Sequence, residues 1–239
     1  LPLEDAVELV DTMGHYQADG ALGVQVMTAL VGGDGQPDPE LRQAVDDAIA
    51  AARLVGAGAW WSIDLGSHAV IGADSEGARV LEERLPKLTR GERTFPVRLP
   101  LHSAFHTPLL EPTSARARED LAHLGFRAPD VPLIDGRGMV FRPRWADPEA
   151  LRDYTLGHQV TRPFDFHRAL VTALHHTGPD VIVLLGPGNS LGGPSSRILL
   201  WEGWGGCRTR EQLDARQATD PLLLSFGVSL QRQRLVRPT

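Results

Sequence analysis

The sequence predicts an α/β protein in which a core built on parallel strands is interrupted by a smaller α+β unit. Residues 21–101 carry helix and strand signals in the order strand-helix-strand-strand-helix-strand. Residues 180–185, Asp-Val-Ile-Val-Leu-Leu, form an apolar run of the kind buried on both faces of a parallel sheet. That run leads directly into a glycine-rich loop and a further helix.

Each element follows from its own pattern. Leu3, Ala6, Val7 and Val10 recur at helical spacing, and Glu4 and Asp5 sit where the helix dipole favours them, so residues 2–17 are read as a helix. Residues 21–31 read as a strand, followed by a turn at 32–35. A helix is expected over 39–53, with Leu41, Val45, Ile49 and Ala52 on one face. Strands at 59–63 and 68–72 are joined by the turn Asp64-Leu65-Gly66-Ser67. Trp60 and Trp61 alternate across the first of these, which places one ring toward the core. A helix at 77–85 and a strand at 93–101 complete a ferredoxin-like split unit. Beyond residue 102, helices are expected at 108–124, 147–156 and 164–176, the last with Phe166, Leu170 and Leu174 on one face. A strand is expected at 131–135. The tail from Trp201 reads as polar and irregular, with one apolar run at 222–226.

Composition narrows the function. The chain has 239 residues, 42% hydrophobic and 23% charged, as in ordinary globular proteins. Its net charge of −6 disfavours nucleic acid as a partner, because phosphate binding needs a basic face. No apolar run approaches the ~18 residues of a membrane span, so no membrane partner is expected. The single cysteine, Cys207, excludes an internal disulfide and fits a reducing, cytoplasmic setting. The chain opens at Leu1, close to a helix, as a fragment or processed product would.

Two segments could carry chemistry. His102 and His106 lie four apart, a spacing that can bind zinc, but no third ligand is evident and no metal is expected. Histidine is also the usual general base near neutral pH. The second segment, Gly186-Pro187-Gly188-Asn189-Ser190-Leu191-Gly192-Gly193, suits an anion or oxyanion at a helix start. It contains Gly-x-Ser-x-Gly, which makes Ser190 a candidate nucleophile. The competing reading is a structural turn, since an elbow places its serine immediately off the strand. The glycines at 32–35 lack a phosphate-loop lysine and read as a turn, and His175-His176 as an exposed helix end.

Several segments, in order, resemble the malonyl-type acyltransferases that load acyl carrier proteins. They are LEDAVELVDTMGHYQ, HSAFHTPLLEP, HQVTRPFDF and VIVLLGPGNSLGG, with the α+β unit between the first two. The resemblance implies a hydrolase-like parallel-sheet core over residues 1–20 and 102–239, with the ferredoxin-like subdomain at 21–101. It implies an acyl group carried from a CoA thioester to the phosphopantetheine thiol of an acyl carrier protein through an acyl-serine, with no permanently bound cofactor. His106 then matches the base and Gln159 the residue whose carbonyl orients it. Ser103, Phe105, Gly186, Gly188 and Asn189 fall at substrate-binding positions. So does Met13, where the family carries an arginine for the malonyl carboxylate; a thioether cannot replace that contact. The family's Gly-His-Ser-x-Gly serine is not among these residues. An N-terminal segment or a companion chain is expected to supply it. The alternatives are a non-catalytic carrier-binding relative and a hydrolase using Ser190.

Overall fold

Short strands rich in small apolar residues, separated by capped helices, set the architecture of the first half. The computed structural model describes residues 1–19, 22–100 and 103–236. Backbone proximity groups them into two units, Leu1–Phe166 and His167–Thr239.

In the first unit, α1 (Leu3–Asp19) opens the chain. There follow β1 (Val24–Ala29), α2 (Pro39–Leu54), β2 (Ala59–Asp64), β3 (His68–Ala73) and α3 (Ser75–Arg84). Both helices start where the sequence supplies a cap. The Asp38 carboxylate accepts from the Glu40 and Leu41 amides ahead of Pro39, and the Asp74 carboxylate accepts from Gly77. The expected strand at 93–101 is broken in two, and a further strand precedes it. A hairpin of β4 (Leu88–Arg90) and β5 (Arg93–Phe95) precedes β6 (Val97–Leu99). Pro96, which has no amide hydrogen for a ladder, separates the last two.

Strands β6, β1, β3 and β2 lie side by side in that order, each antiparallel to its neighbour. The period-two alternation gives the sheet two faces. Val26, Ala69, Ile71, Ala73 and Ala59 point to one side, where Val45, Ile49 and Ala52 of α2 and Ala78 and Leu81 of α3 complete the core. Trp61 packs against this layer and its indole donates to Asp46 at 2.7 Å. Trp60 stands opposite Gly72 on the other face.

The remainder of this unit comprises a 3₁₀ turn at Pro108–Leu110, α4 (Glu111–Asp120), a short hairpin of β7 (Leu133–Ile134) and β8 (Val140–Phe141), and α5 (Pro148–Asp153). The expected single helix at 108–124 thus starts as a tighter turn and ends early. The helix expected at 147–156 changes into a π-helical turn, Tyr154–His158, before the short α6 (Gln159–Thr161). Next, β9 (Phe164–Asp165) joins the large sheet parallel to β2, so these two residues are strand rather than helix. Pro163 explains the break, since it holds Arg162 extended (φ −129°, ψ 154°).

The second unit contains most of α7 (Phe166–Thr177), then β10 (Ile182–Leu184), α8 (Gly192–Trp201), α9 (Arg210–Thr219), β11 (Leu223–Ser225) and α10 (Ser229–Val236). Strand β10 is half-buried and pairs in parallel with β11 alone among the described residues. The tail is more ordered than its composition suggests. Thr209 and Gln212 form a reciprocal capping box at the start of α9. The Gln217 side chain donates to the Leu223 carbonyl and accepts from the Leu222 amide, tying α9 to β11.

Candidate active site

The loop bearing His106 lies on the sheet face opposite α2 and α3. It sits close because β3 presents Gly72 beneath it: a Cβ there would stand 2.5 Å from Thr107 Cγ2 and 3.2 Å from the Ala104 Cβ. Polar groups fix the loop from below. Gln25 Nε2 donates to Ser62 Oγ at 2.7 Å, and Ser62 Oγ donates to the Phe105 carbonyl at 2.6 Å. Gln25 and Ser62 are fully buried, and each satisfies the other. Ser62 occupies an irregularity in the β2–β3 register, where an extra residue turns toward the loop. From within the loop, Thr107 Oγ1 donates to the Ala104 carbonyl at 2.6 Å. His106 itself has a positive φ of 57°.

The imidazole is oriented from the other side. His106 Nδ1 donates to the Gln159 carbonyl at 2.5 Å. The sequence frees that carbonyl: its partner in a continuing helix would be the amide of residue 163, and Pro163 has none. With Nδ1 carrying the hydrogen, Nε2 is the ring's basic nitrogen. Phe164 flanks the ring, with centroids 5.7 Å apart and planes tilted by 43°. Phe164 is itself seated on Gly136, where a Cβ would meet the phenyl ring at 2.4 Å. Ser114 of α4 anchors the π-helical turn by donating to the Leu156 carbonyl at 2.6 Å. Burial holds the His106 pKa below its ordinary value of 6.5, partly opposed by the bond to Gln159. The ring is therefore neutral at neutral pH, the state a base requires.

A cavity of about 450 Å³ opens on this ring. Met13 from α1, Phe105 and His106 from the loop, and Gln159 from α6 all line it, so four of the residues singled out in the sequence meet here. Ser103 is buried at 3% exposure and is not among the lining residues; its carbonyl accepts from the Phe105 amide at 2.8 Å. The sequence reading missed Thr155, Leu110 and Val160, which also line the cavity. Only Val160 carried a signal, as the neighbour of Gln159.

Gly186, Gly188, Asn189 and Ser190 belong to the second unit, where all four are exposed. Gly186 and Gly188 have positive φ. The loop is braced against the end of β11, with Ser225 Oγ donating to the Gly188 carbonyl at 3.5 Å. Ser190 lies in the turn before α8 and not immediately after β10, which ends at Leu184. That is the geometry of a turn rather than of a nucleophile elbow. His102, half of the possible zinc pair, lies outside the described residues. Among the described residues, no cluster of three or more His, Cys, Asp or Glu could hold a metal.

No protein-family model matches the chain. Over 193 residues, 80% of this chain, it is 29% identical to polyketide synthase GfsB of Streptomyces halstedii, of which it covers 3%. The malonyl-CoA:acyl carrier protein transacylase of Xanthomonas oryzae superposes on 98% of this chain with a TM-score of 0.65 at 22% identity; the match covers 64% of that structure. MCAT of Streptococcus pneumoniae gives 0.66 at 21% identity, over 99% of this chain and 66% of its own. The acyltransferase domain from the second module of the salinomycin polyketide synthase gives 0.63 at 20%, over 94% of this chain and 44% of its own. The chain thus has the mixed α/β acyltransferase fold and spans less than two-thirds of the length of these solved structures. Among the described residues, no helix is long and apolar enough to cross a membrane.

Proposed function

We propose that this chain contributes the base and the acyl pocket of an acyltransferase that moves an acyl group from CoA to the phosphopantetheine thiol of an acyl carrier protein. The observation that carries the reading is the His106 imidazole, neutral, locked in one tautomer by the Gln159 carbonyl and set in the wall of an acyl-sized cavity. The fold shared with transacylases and with acyltransferase domains of polyketide synthases supports it. In this reading the process served is fatty-acid or polyketide synthesis, in the cytoplasm, with no resident cofactor.

The nucleophile is a serine from outside these 239 residues, from an N-terminal segment or a companion chain. His106 Nε2 takes the hydroxyl proton as the oxygen attacks the thioester carbonyl; the C–S bond breaks, and CoA leaves as its thiol with that proton. The carrier thiol then attacks the acyl-serine and reverses the proton's path. Gln159 acts only through its backbone, as a positioning residue. Phe105 walls the acyl group, Ser103 shapes the loop behind it, and Gly186, Gly188 and Asn189 contact the substrate. Residues 21–101 act as a ferredoxin-like subdomain, and residues 1–20 and 102–239 as the α/β core around it.

The test pairs the chain with a segment carrying the Gly-His-Ser-x-Gly serine and follows acyl-serine formation by mass spectrometry. His106→Asn should slow labelling about 10²- to 10⁴-fold, the usual worth of a positioned base. Labelling of the variant at the unmodified rate would remove His106 from the role of base, and a paired protein that never labels would leave a non-catalytic, carrier-binding role.

A further inference from the structure

Tyr154 makes two bonds that reach the His106 ring from different directions. Its backbone carbonyl accepts from the Gln159 amide across the π-helical turn, so it fixes the residue whose own carbonyl orients the imidazole. Its hydroxyl accepts from the buried Gly136 amide at 2.7 Å. The Gly136 carbonyl accepts in turn from the Asp165 amide at 2.8 Å, and Phe164, which flanks the imidazole, rests on Gly136. The phenol ring that joins these two bonds is buried and held by its neighbours. The Arg137 guanidinium lies 4.8 Å from its centroid, and the His158 ring stacks on it at 5.6 Å. Arg137 is itself pinned by the buried Asp135 carboxylate, which accepts from its Nε at 2.8 Å and its Nη2 at 2.6 Å.

We propose that Tyr154 is a positioning residue for His106, coupling the turn that presents the Gln159 carbonyl to the seat of Phe164. It acts from behind the site and is not among the residues lining the cavity. Phenylalanine could fill the same space but not the same role. A buried amide left without an acceptor costs free energy, and the backbone that carries it moves to find another. Here that backbone is Gly136, and its movement would shift Phe164 against the imidazole. Burial pushes the phenol above its ordinary pKa of 10.0, so the hydroxyl stays neutral through the range in which a histidine titrates. The role deepens the acyl-transfer reading and rests on it, because a base in that reaction must keep its hydrogen on Nδ1 to offer Nε2 to a hydroxyl.

The experiment follows the nitrogen-15 ring signals of His106 in the 239-residue chain, identified by their loss in His106→Asn, at a pH where the ring is neutral. The unmodified chain should show one tautomer, with the hydrogen on Nδ1. Tyr154→Phe keeps the ring and its stacking but removes the acceptor, and should show both tautomers. Gly136→Ala disturbs the same seat without altering Tyr154, since its Cβ would stand 2.4 Å from the Phe164 ring, and should do likewise. Asp38→Ala, which removes the α2 cap on the other face of the sheet, should lower stability and leave the imidazole signals unchanged. With the serine-bearing segment added, Tyr154→Phe should slow acyl-serine labelling about tenfold or more, as a misplaced reacting group does, without weakening thioester binding. A single Nδ1 tautomer in either variant, or labelling of Tyr154→Phe at the unmodified rate, would make the tyrosine merely structural and overturn the inference. If the tautomers mix as expected but even the unmodified pair never labels, the acyl-transfer reading falls while the coupling of Tyr154 to the imidazole stands.

Discussion

Replacing Gly72 by alanine probes how the His106 loop is held. The new Cβ would stand 2.5 Å from Thr107 Cγ2 and 3.4 Å from the Ala104 Cα. Carbon atoms pack at about 3.5–4.0 Å, so the threonine must retreat by about 1 Å. It cannot turn aside. Thr107 is fully buried, and its hydroxyl is bonded back to Ala104. The loop must therefore lift as a piece, at a cost of about 1–3 kcal/mol for overpacking. The lift moves His106 away from the Gln159 carbonyl, and a misplacement of about 1 Å at a reacting group can cost about 10²-fold in rate. Urea unfolding should show the stability loss, and NMR titration of the imidazole should show a changed pKa. Gly33→Ala is the control, since a Cβ there meets nothing within 4 Å. A Gly72→Ala protein as stable as the control, with an unaltered His106 titration, would refute the account of how the loop is seated.

Two further outcomes follow from groups at and away from the site. Because burial lowers the His106 pKa, its contribution to stability is complete above the ordinary value of 6.5 and is lost as pH falls through the lower folded value, where the unfolded chain takes up the proton first. His106→Asn should flatten that part of the stability profile, read from urea midpoints between about pH 5 and 8. In the second unit, Thr209→Ala removes the acceptor of the Gln212 amide and should cost about 1 kcal/mol, seen as faster amide exchange in the first turn of α9.

The elements that reach the core by simple periodicity were legible in the sequence. Val45, Ile49 and Ala52 repeat at helical spacing and are buried, and strands form at 59–64 and 68–73 around the expected turn, the second of them buried on both faces. The site was legible in its identities and not in its supports. Nothing in Gln25 or Ser62 announces a buried pair beneath a loop some forty residues later, because that contact depends on the strand register and on an irregularity in it. The π-helical turn at Tyr154–His158 was equally hidden, since its residues suit an α-helix and only packing beneath α4 selects the wider turn. Pro163 was visible but underused: it ends the helix, frees the Gln159 carbonyl and turns Phe164 into strand. In the tail, Thr209-x-x-Gln212 was an available helix-start signal that the polar composition masked.

The backbone at His106 also acts as a filter on sequence change. Its φ of 57° admits few side chains besides glycine: asparagine, aspartate and histidine tolerate it best. Of these, only histidine ordinarily exchanges a proton near neutral pH. Conformation and chemistry thus select independently, and their intersection holds one residue type. Mutational drift from this position would therefore run first toward asparagine or glycine, which keep the loop's shape and carry no group that titrates near neutral pH. A descendant changed in that way would keep this fold, and the proposed base would be missing at one position only.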